Sequence, residues 1–351
     1  MSTLKVTAER LVIHPHHNAD ALELAQVGLF RAVVAKGAFQ TGDHAIYIPE
    51  GAVLPEALIE ELGLTGKLAG PAHDRVKAVR LRGELSQGIV CRPAELAELD
   101  LAEVEPGTDF AERLGITKWV PPIPVHMSGD ITPAPELLPW VEVENIKRYP
   151  DIFTAGEPVI ATEKIHGTAC LLTYVVETGE VFVSSKGFGK QHLAIKEAAT
   201  NLYWRAIVAH KVAVIAAELA SSLGATRIGV FGEVYGQGVQ DLAYGADASR
   251  SEPGYAAFDI AAEIDGEVRW LSPDGTGLPS APVLYTGPYD EALLIELAGG
   301  VETVSGRGTH IREGVVVRSA TERYSPVLGG RAIGKFVSDA YLTRKGGTEY
   351  E

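Results

Sequence analysis

Cysteine is scarce in this sequence of 351 residues, where Cys91 and Cys170 are the two examples. They lie far apart and each adjoins an apolar stretch, which argues against a disulfide framework or a cysteine-rich zinc site. Long apolar runs are also lacking, since none approaches the roughly 20 residues that span a bilayer. The first residues show no signal-peptide pattern. These absences predict a cytoplasmic protein without membrane contact.

Basic residues are the minority among the charged ones, with 31 Lys and Arg against 46 Asp and Glu and a formal net charge of −15. Because binding to a polyanion depends on cationic contacts, this balance argues against a broad nucleic-acid-binding face. It does not argue against a local basic groove, which depends on where individual Lys and Arg side chains point.

Several common catalytic signatures are missing. The phosphate-binding pattern G-x-x-x-x-G-K-[ST] does not occur, and Gly187-Phe188-Gly189-Lys190 has the wrong spacing for it. The patterns G-x-S-x-G and H-E-x-x-H are absent as well. A P-loop kinase or a simple hydrolase therefore has no support.

Short apolar and β-branched runs, separated by Gly, Asn, Asp and Pro, follow one another through the first 100 residues. Their number and length predict a small Greek-key barrel such as an OB-fold over residues 1–118, with a short helix at 55–64. A stiff proline-rich linker is predicted over residues 119–141, which contain Pro121, Pro122, Pro124, Pro133, Pro135 and Pro139.

Residues 142–351 combine strand patterns with few helical ones. Strands are expected at 159–162, 169–176, 180–184, 227–233, 255–262 and 314–318. One long helix is expected over 193–223, with Gly224 as its C-cap. An α+β fold follows, in which the barrel precedes an antiparallel-sheet domain.

Polar residues interrupt or adjoin several of these apolar runs. The most informative segment is Glu163-Lys164-Ile165-His166-Gly167-Thr168, which follows the run 159–162. A lysine at a strand end acts as a nucleophile when its surroundings lower its pKa. Further such segments are Ser184-Ser185-Lys186-Gly187, Val230 to Gly236, Tyr255 to Ile260, Arg312 to Arg318, and Ile333-Gly334-Lys335-Phe336. Since unpartnered buried charges are costly, a shared polar pocket explains these segments best.

The order and spacing of these six motifs resemble the covalent nucleotidyltransferase superfamily, and the form of residues 163–168 resembles its ATP-dependent RNA ligase branch. A barrel ahead of the catalytic domain is similar to the Deinococcus-type ligases that seal a 3′-OH RNA strand at a nick. The resemblance implies three steps. A lysine takes AMP from ATP, AMP passes to a 5′-phosphate, and the 3′-OH then displaces AMP.

The resemblance also implies roles for individual residues. Lys164 would be the nucleophile, with Lys335 on the α-phosphate and depressing the pKa of Lys164. Glu313 would lie near the phosphate and a Mg²⁺ or Mn²⁺ ion. The nucleotide site would be formed by Glu163, Ile165, Gly167, Lys186, Glu233 on the ribose, Phe258 stacked on adenine, and Lys335, with one side closed by residues 145–149.

One departure from the family pattern concerns the last motif. Many relatives have two lysines there, whereas this chain has Ile333 at the first of the two positions. Arg331, Arg318 or Lys186 remain candidates for the missing cation.

The barrel carries its own indication of RNA binding. Residues 14–22 and 79–89 are similar to tRNA-binding OB modules, and the alternation of Arg80 and Arg82 with apolar residues predicts that they share one strand face and bind nucleic acid there. A barrel that is only a spacer remains an alternative. The cluster of His14, His16 and His17 lacks the partners of a zinc site.

Three functions remain open: an RNA ligase acting on nicked RNA or RNA/DNA duplexes with ATP, a DNA ligase or capping enzyme, and a tRNA-binding protein with a non-catalytic domain. The form of residues 165–168 and the position of the barrel favour the first. No obligate protein partner is indicated.

Overall fold

The computed structural model of this chain describes residues 4–120 and 127–347. Its strands are β1 (Thr7–Arg10), β2 (Val12–Pro15), β3 (Leu22–Val27), β4 (Phe30–Ala35), β5 (His44–Ile48), β6 (Ala52–Val53), β7 (Val79–Leu81), β8 (Glu84–Ser86), β9 (Ile89–Cys91), β10 (Thr117–Lys118), β11 (Ile131–Pro133), β12 (Glu144–Asn145), β13 (Pro158–Lys164), β14 (Thr168–Val175), β15 (Val181–Ser185), β16 (Leu193–Ile195), β17 (Arg227–Tyr235), β18 (Gly254–Ile264), β19 (Glu267–Leu271), β20 (Val283–Pro288), β21 (Gly314–Ser319), β22 (Tyr324–Ser325), β23 (Gly330–Arg331) and β24 (Ile333–Val337). Its α-helices are α1 (Glu56–Glu61), α2 (Lys186–Gly189), α3 (Leu202–Ala209), α4 (Val212–Leu223), α5 (Glu291–Ala298) and α6 (Asp339–Leu342), and 3₁₀ turns lie at Ala94–Leu96, Ile146–Arg148 and Pro150–Ile152.

The described residues form two compact units. The first contains residues 4–120 and Glu144–Asp151, and the second contains residues 127–143 and 152–347. Their bounds differ from the predicted domains, because residues 144–151 cluster with the first unit and residues 127–141 of the predicted linker cluster with the second.

The first unit is built from short antiparallel strands. One three-stranded sheet has the order β1-β5-β9, another has the order β2-β3-β4, and β7 and β8 form a hairpin. Two clusters of buried side chains fill this unit, one around Ile46, Ile48 and Leu54 and the other around Ala25, Ala32 and Tyr47. The short helix expected at 55–64 is present as α1, which begins directly after Pro55.

The second unit contains two larger antiparallel sheets. One has seven strands in the order β11-β16-β15-β14-β17-β18-β19, and the other includes four strands in the order β24-β21-β13-β20. The central strand β14 is covered on both faces. Cys170 and Leu172 pack with α3 and α4, whereas Leu171 packs with Leu138 and Phe231. This double coverage explains why β14 reads as a continuous apolar run.

The prediction of one long helix over 193–223 is wrong. Residues 193–195 form strand β16, and helix α3 then begins after Asn201, whose side chain accepts hydrogen bonds from the backbone N–H groups of Tyr203 and Trp204. Lys211 interrupts the helical path with a left-handed φ of 53°, so that α3 and α4 meet at a bend of 59°. Gly224 caps α4 as expected, with a φ of 64°.

No single helix within residues 4–120 and 127–347 is long and apolar enough to cross a membrane. The bent pair α3 and α4 reaches that length and composition only when both helices are counted together.

The predicted linker differs from a simple connector. Pro121, Pro122 and Pro124 lie outside the described residues, residues 119 and 120 belong to the first unit, and residues 127–141 belong to the second. Strand β11 pairs with β16 at the edge of the seven-stranded sheet, where Pro133 is tolerated because an edge strand leaves N–H groups unpaired. Leu137 and Leu138 are buried beneath it.

Candidate active site

A cavity of about 270 Å³ opens in the second unit, and it unites the residues that the motifs singled out. Its lining includes Glu163, Lys164, Ile165, Gly167, Lys186, Glu233, Phe258, Glu313 and Lys335. These residues are spread over more than 170 positions of sequence, from Glu163 to Lys335, so their convergence on one cavity comes from the fold.

The cavity lies where strands of the two sheets meet. Strand β13 ends at Lys164, which is opposite Gly314 on β21, and Lys335 on β24 is opposite Val316 on β21. The chain then turns through residues 165–167 and enters β14, which pairs with β17 so that Ala169 is opposite Glu233. A single turn at residues 165–167 therefore connects the strand that ends at Lys164 in one sheet to strand β14 in the other.

Gly167 is required in this turn by a close approach of backbone. A Cβ atom at this position would lie 2.2 Å from the carbonyl oxygen of Val234, well inside contact distance. Gly314 is constrained in the same way, because a Cβ there would lie 2.1 Å from the carbonyl oxygen of Phe336. Both glycines allow the strands around the cavity to pack closely.

The amine of Lys164 is held by a carboxylate. Its Nζ atom donates to Glu313 Oε1 at 2.6 Å, and the Glu313 side chain is 7% exposed. Burial alone would lower the pKa of Lys164, but the nearby carboxylates of Glu313 and Glu233 outweigh this and raise it above its ordinary value. The prediction that cations depress this pKa is therefore wrong for the protein without nucleotide, because anions are the nearest charges.

Glu233 lies in the same electrostatic field. Burial raises its pKa to about 8, since the charged form is poorly solvated and Glu313 repels it, while Lys164 and Lys186 act in the opposite direction. A carboxyl group that takes up a proton near neutral pH is characteristic of a functional site.

Two carboxylate oxygens at the cavity have no hydrogen-bond partner among the described residues: Glu163 Oε1 and Glu313 Oε2. The other oxygen of Glu163 is fully engaged, since it accepts from the N–H and the hydroxyl of Thr303 and lies 3.5 Å from Arg312 Nε. Buried acceptors without donors are costly, so each indicates a ligand group that donates to it or a cation that it binds.

The cations proposed to replace the lysine missing at 333 differ in position. Arg318 and Arg331 both pair with Asp259, at 3.4 and 2.5 Å, and neither lines the cavity. Lys186 does line it and forms an ion pair of 3.1 Å with Glu142, which also binds Lys190. Of the three candidates, only Lys186 lines the cavity that contains Lys164.

The comparisons with known proteins agree with this geometry. A family model described as RNA ligase matches residues 157–337, more than half of the chain. The chain belongs to the RNA ligase family. The matched region includes every cavity residue predicted from the motifs, from Glu163 to Lys335.

Solved structures show the same fold. A mutant of Naegleria gruberi RNA ligase with AMP and Mn superposes with a TM-score of 0.77 at 23% identity, covering 96% of this chain and 97% of that one. The same enzyme with PPi gives a TM-score of 0.74 at 23% identity and coverages of 97% and 98%. An OB-fold family model matches residues 5–93. No curated protein sequence matches.

These matches confirm the predicted fold class. The first unit is an OB-fold domain, and it is followed by an antiparallel-sheet nucleotidyltransferase domain of the α+β class.

A loop that supports the turn at residues 165–167 was not predicted from the sequence. Tyr244 accepts a hydrogen bond of 2.7 Å from the backbone N–H of His166, Gln240 donates to the carbonyl of Gly167, and Asp241 binds the His166 ring. These residues lie more than 70 positions from the lysine and match no motif, so sequence spacing alone gave no signal for them.

The predicted closing segment at 145–149 belongs to the first unit, and its role at the nucleotide stays a prediction. Within the second unit, Trp140, Val141 and Val143 line the cavity.

Arg80 and Arg82 do not share a strand face. Arg80 lies on β7, but Arg82 and Gly83 form the two-residue hairpin turn, with φ values of 53° and 97°. Two positive φ angles suit the tight turn that a β-hairpin needs. Both arginines are exposed at this tip, as the prediction of nucleic-acid binding requires.

No group of three or more His, Cys, Asp or Glu residues within the described ranges is arranged to hold a metal ion, and this includes the histidines at 14, 16 and 17. At the cavity, Glu313 supplies carboxylate oxygens, the ligand type that Mg²⁺ and Mn²⁺ prefer, and its Oε2 accepts no hydrogen bond from the described residues. This residue fits a cation that is bound largely by phosphate oxygens.

Replacing Gly167 by Ala should displace the turn that follows Lys164, because the added methyl group collides with the Val234 carbonyl. We expect a loss of about 1–3 kcal/mol in the free energy of unfolding, measured by urea denaturation. Gly330→Ala is the matched control, since nothing lies within 4 Å of its Cβ position. Wild-type stability in Gly167→Ala would contradict the close approach.

The raised pKa of Glu233 predicts a pH-dependent stability. The folded protein holds this proton more tightly than the unfolded chain, so the stabilisation is full below the ordinary pKa of 4.5 and is lost as pH rises through about 8. Glu233→Gln lacks the titration. Its unfolding free energy relative to wild type should therefore rise between pH 5 and 8.

The matched control is Glu180→Gln, which alters an exposed carboxyl. Denaturation at several pH values should show a constant difference for this control. A constant difference for Glu233→Gln as well would contradict the assigned pKa.

Proposed function

We propose that this protein is an ATP-dependent RNA ligase that stores AMP on Lys164, passes it to a 5′-phosphate end and joins that end to an RNA 3′-OH, at a nick held by a template. The observation that carries the proposal is the position of Lys164. It lies at a strand end, inside a cavity that also contains three glutamates and two further lysines, in a chain of the RNA ligase family.

In the first step, the Lys164 amine would attack the α-phosphate of ATP. A P–N bond forms, the bond to the bridging oxygen breaks, and pyrophosphate leaves. The amine must first lose a proton, and Glu313 Oε1 at 2.6 Å is the acceptor in contact with it. Because nearby carboxylates raise the pKa of Lys164 in the free protein, a cation that enters with the nucleotide would have to offset them before the amine can lose its proton.

The other two lysines of the cavity are suited to bind the phosphates of ATP. Lys186 and Lys335 line the cavity with Lys164, and phosphoryl transfer depends mainly on positioning and on neutralising charge. Glu233 would accept from the ribose hydroxyls, and Phe258, which also lines the cavity, offers a ring for stacking on adenine.

Adenine rather than guanine is favoured by Glu163. Its Oε1 is buried and without a partner, while Oε2 is fixed by Thr303. The exocyclic amine of adenine is a donor that matches this acceptor. Guanine presents an oxygen at the corresponding position, which would be repelled. The buried carboxylate therefore favours ATP over GTP.

A divalent cation would be held by Glu313, whose Oε2 lacks a hydrogen-bond partner among the described residues. Such an ion supplies charge neutralisation on the phosphates. The Naegleria gruberi enzyme has been solved with AMP and Mn, with ATP and Mn, and with PPi, and these ligands agree with the proposed substrate, cation and leaving group.

The N-terminal OB-fold would dock the RNA. Its hairpin tip exposes Arg80 and Arg82, which suit contacts to phosphate oxygens and need no base recognition. The acidic whole-protein charge is compatible with this, because the contact is local.

Incubation with α-labelled ATP and Mg²⁺ or Mn²⁺ should label the wild-type protein, whereas α-labelled GTP should not. Glu163→Gln should reverse part of this preference, since the amide NH₂ replaces an acceptor by a donor. We expect ATP labelling to fall by a factor of about 100 relative to GTP labelling. The ratio of the two labelling rates measures the change.

Lys164→Ala should remove the label completely, and Lys36→Ala, at an exposed lysine, should retain it. Labelling by GTP alone would indicate a capping enzyme, and no labelling by either nucleotide would indicate a non-catalytic RNA-binding protein. Either outcome refutes the proposal.

Replacing both Arg80 and Arg82 by Ala should slow the sealing of a nicked duplex and leave labelling by ATP unchanged, because the arginines would act on RNA alone. The effect should shrink as salt is raised, as expected for lost phosphate contacts. Sealing is measured by gel electrophoresis of a labelled 5′-phosphate strand. Equal sealing of RNA and DNA 3′-OH ends by wild type would refute the RNA assignment.

A further inference from the structure

We propose that residues 338–344 act as a clasp that positions the turn carrying Lys164 for adenylation. This segment, the C-terminal clasp, contains Ser338, Tyr341 and Arg344 and lies beyond the region that the family model matches. The proposal rests on the proposed function, because positioning matters only if Lys164 reacts.

The clasp acts through His166, two residues after the lysine. This ring is 4% exposed, and both of its nitrogens have partners. Nε2 lies 2.8 Å from Asp241 Oδ1, and since a carboxylate only accepts, Nε2 carries the proton. In the neutral ring, Nδ1 then accepts from the Tyr341 hydroxyl at 2.8 Å. The ring is thus fixed from both edges.

Arg344 closes the arrangement into a cycle. Its Nε donates to Asp241 Oδ2 at 2.9 Å, and Nη2 reaches Oδ1 at 3.3 Å. The guanidinium also lies over the Tyr341 ring, 3.6 Å from its centroid. His166, Asp241, Arg344 and Tyr341 therefore form a closed ring of contacts in which each member restrains two others.

Ser338 attaches the same segment to Arg312 and Glu313, which directly precede strand β21. Its backbone N–H donates to the carbonyl of Glu313 at 2.8 Å, and its hydroxyl donates to the carbonyl of Arg312 at 2.8 Å. The free oxygen Oε2 of Glu313 lies 4.0 Å from His166 Nδ1. The clasp consequently contacts both sides of the Lys164–Glu313 ion pair, which come from separate strands.

A reaction at Lys164 needs these two sides in fixed register, because the amine must leave its carboxylate and meet the α-phosphate in line. Small displacements of reacting groups have large effects on rate. Asp241, Tyr341 and Arg344 are positioning residues in this scheme, since they act through His166 and the ion pair and transfer no group themselves.

The test is Tyr341→Phe in the full-length protein, which removes one hydroxyl and keeps the ring. In single-turnover reactions with saturating labelled ATP, we expect the rate of lysine adenylation to fall about tenfold or more. Tyr341 also lines the cavity, and its ring is kept in this variant. The affinity for ATP should therefore stay within about twofold of wild type, because this ring, Glu163 and Phe258 are unchanged. Tyr324→Phe, at a tyrosine that is 65% exposed, is the matched control and should react as wild type.

A second set of variants tests the cycle. Asp241→Asn and Arg344→Gln should each slow adenylation, and the double variant should be no slower than the slower single variant, since both break the same restraint. Arg344→Lys should react faster than Arg344→Gln but slower than wild type, because lysine restores the positive charge but not both contacts with Asp241.

If wild type carries AMP on its lysine, any of three results would overturn the clasp. The first is an unchanged adenylation rate in Tyr341→Phe, and the second is a loss of ATP affinity in that variant with an unchanged rate at saturation. The third is a double Asp241 and Arg344 variant whose reduction in rate equals the product of the two single reductions. A wild-type protein without any adduct would overturn the proposed function and the clasp together.

Discussion

The buried ion pair between Lys164 and Glu313 sets the state from which any reaction in this cavity must start. The two side chains come from neighbouring strands and meet at 2.6 Å, and Glu233 adds a second acidic group. Their combined effect keeps the amine protonated and therefore unreactive. The amine can lose its proton only when cations offset these carboxylates.

The surrounding fold is organised around this pair. Close backbone approaches pack the Gly167 turn against β17 and Gly314 against β24, and the loop with Gln240, Asp241 and Tyr244 holds the turn. Unpartnered oxygens on Glu163 and Glu313 mark where a ligand has to complete the hydrogen bonding. The net charge of −15 describes the outer surface and has little bearing on this interior site.

The strands and site residues that short sequence motifs define could be predicted from the sequence. The strand that ends at Lys164 and the strands before Glu233 and after Glu313 were predicted from apolar runs, and the motifs named nine residues that line one cavity. Prediction from the sequence failed where tertiary contacts decide. Lys211 breaks a helical pattern through a left-handed φ, and Leu138 binds part of the proline-rich segment into a core. The contact of Tyr341 with His166 and the raised pKa of Lys164 could not be predicted, because both depend on residues distant in sequence.

The central claim is that the Lys164 amine is the nucleophile, and peptide mass spectrometry tests it most directly. The purified protein would be incubated with ATP and Mg²⁺, digested, and searched for an AMP adduct. The account predicts one adduct, on the peptide that contains Lys164, bound through an acid-labile P–N bond. An adduct on Lys186 or Lys335 instead, or none on any peptide, would contradict it.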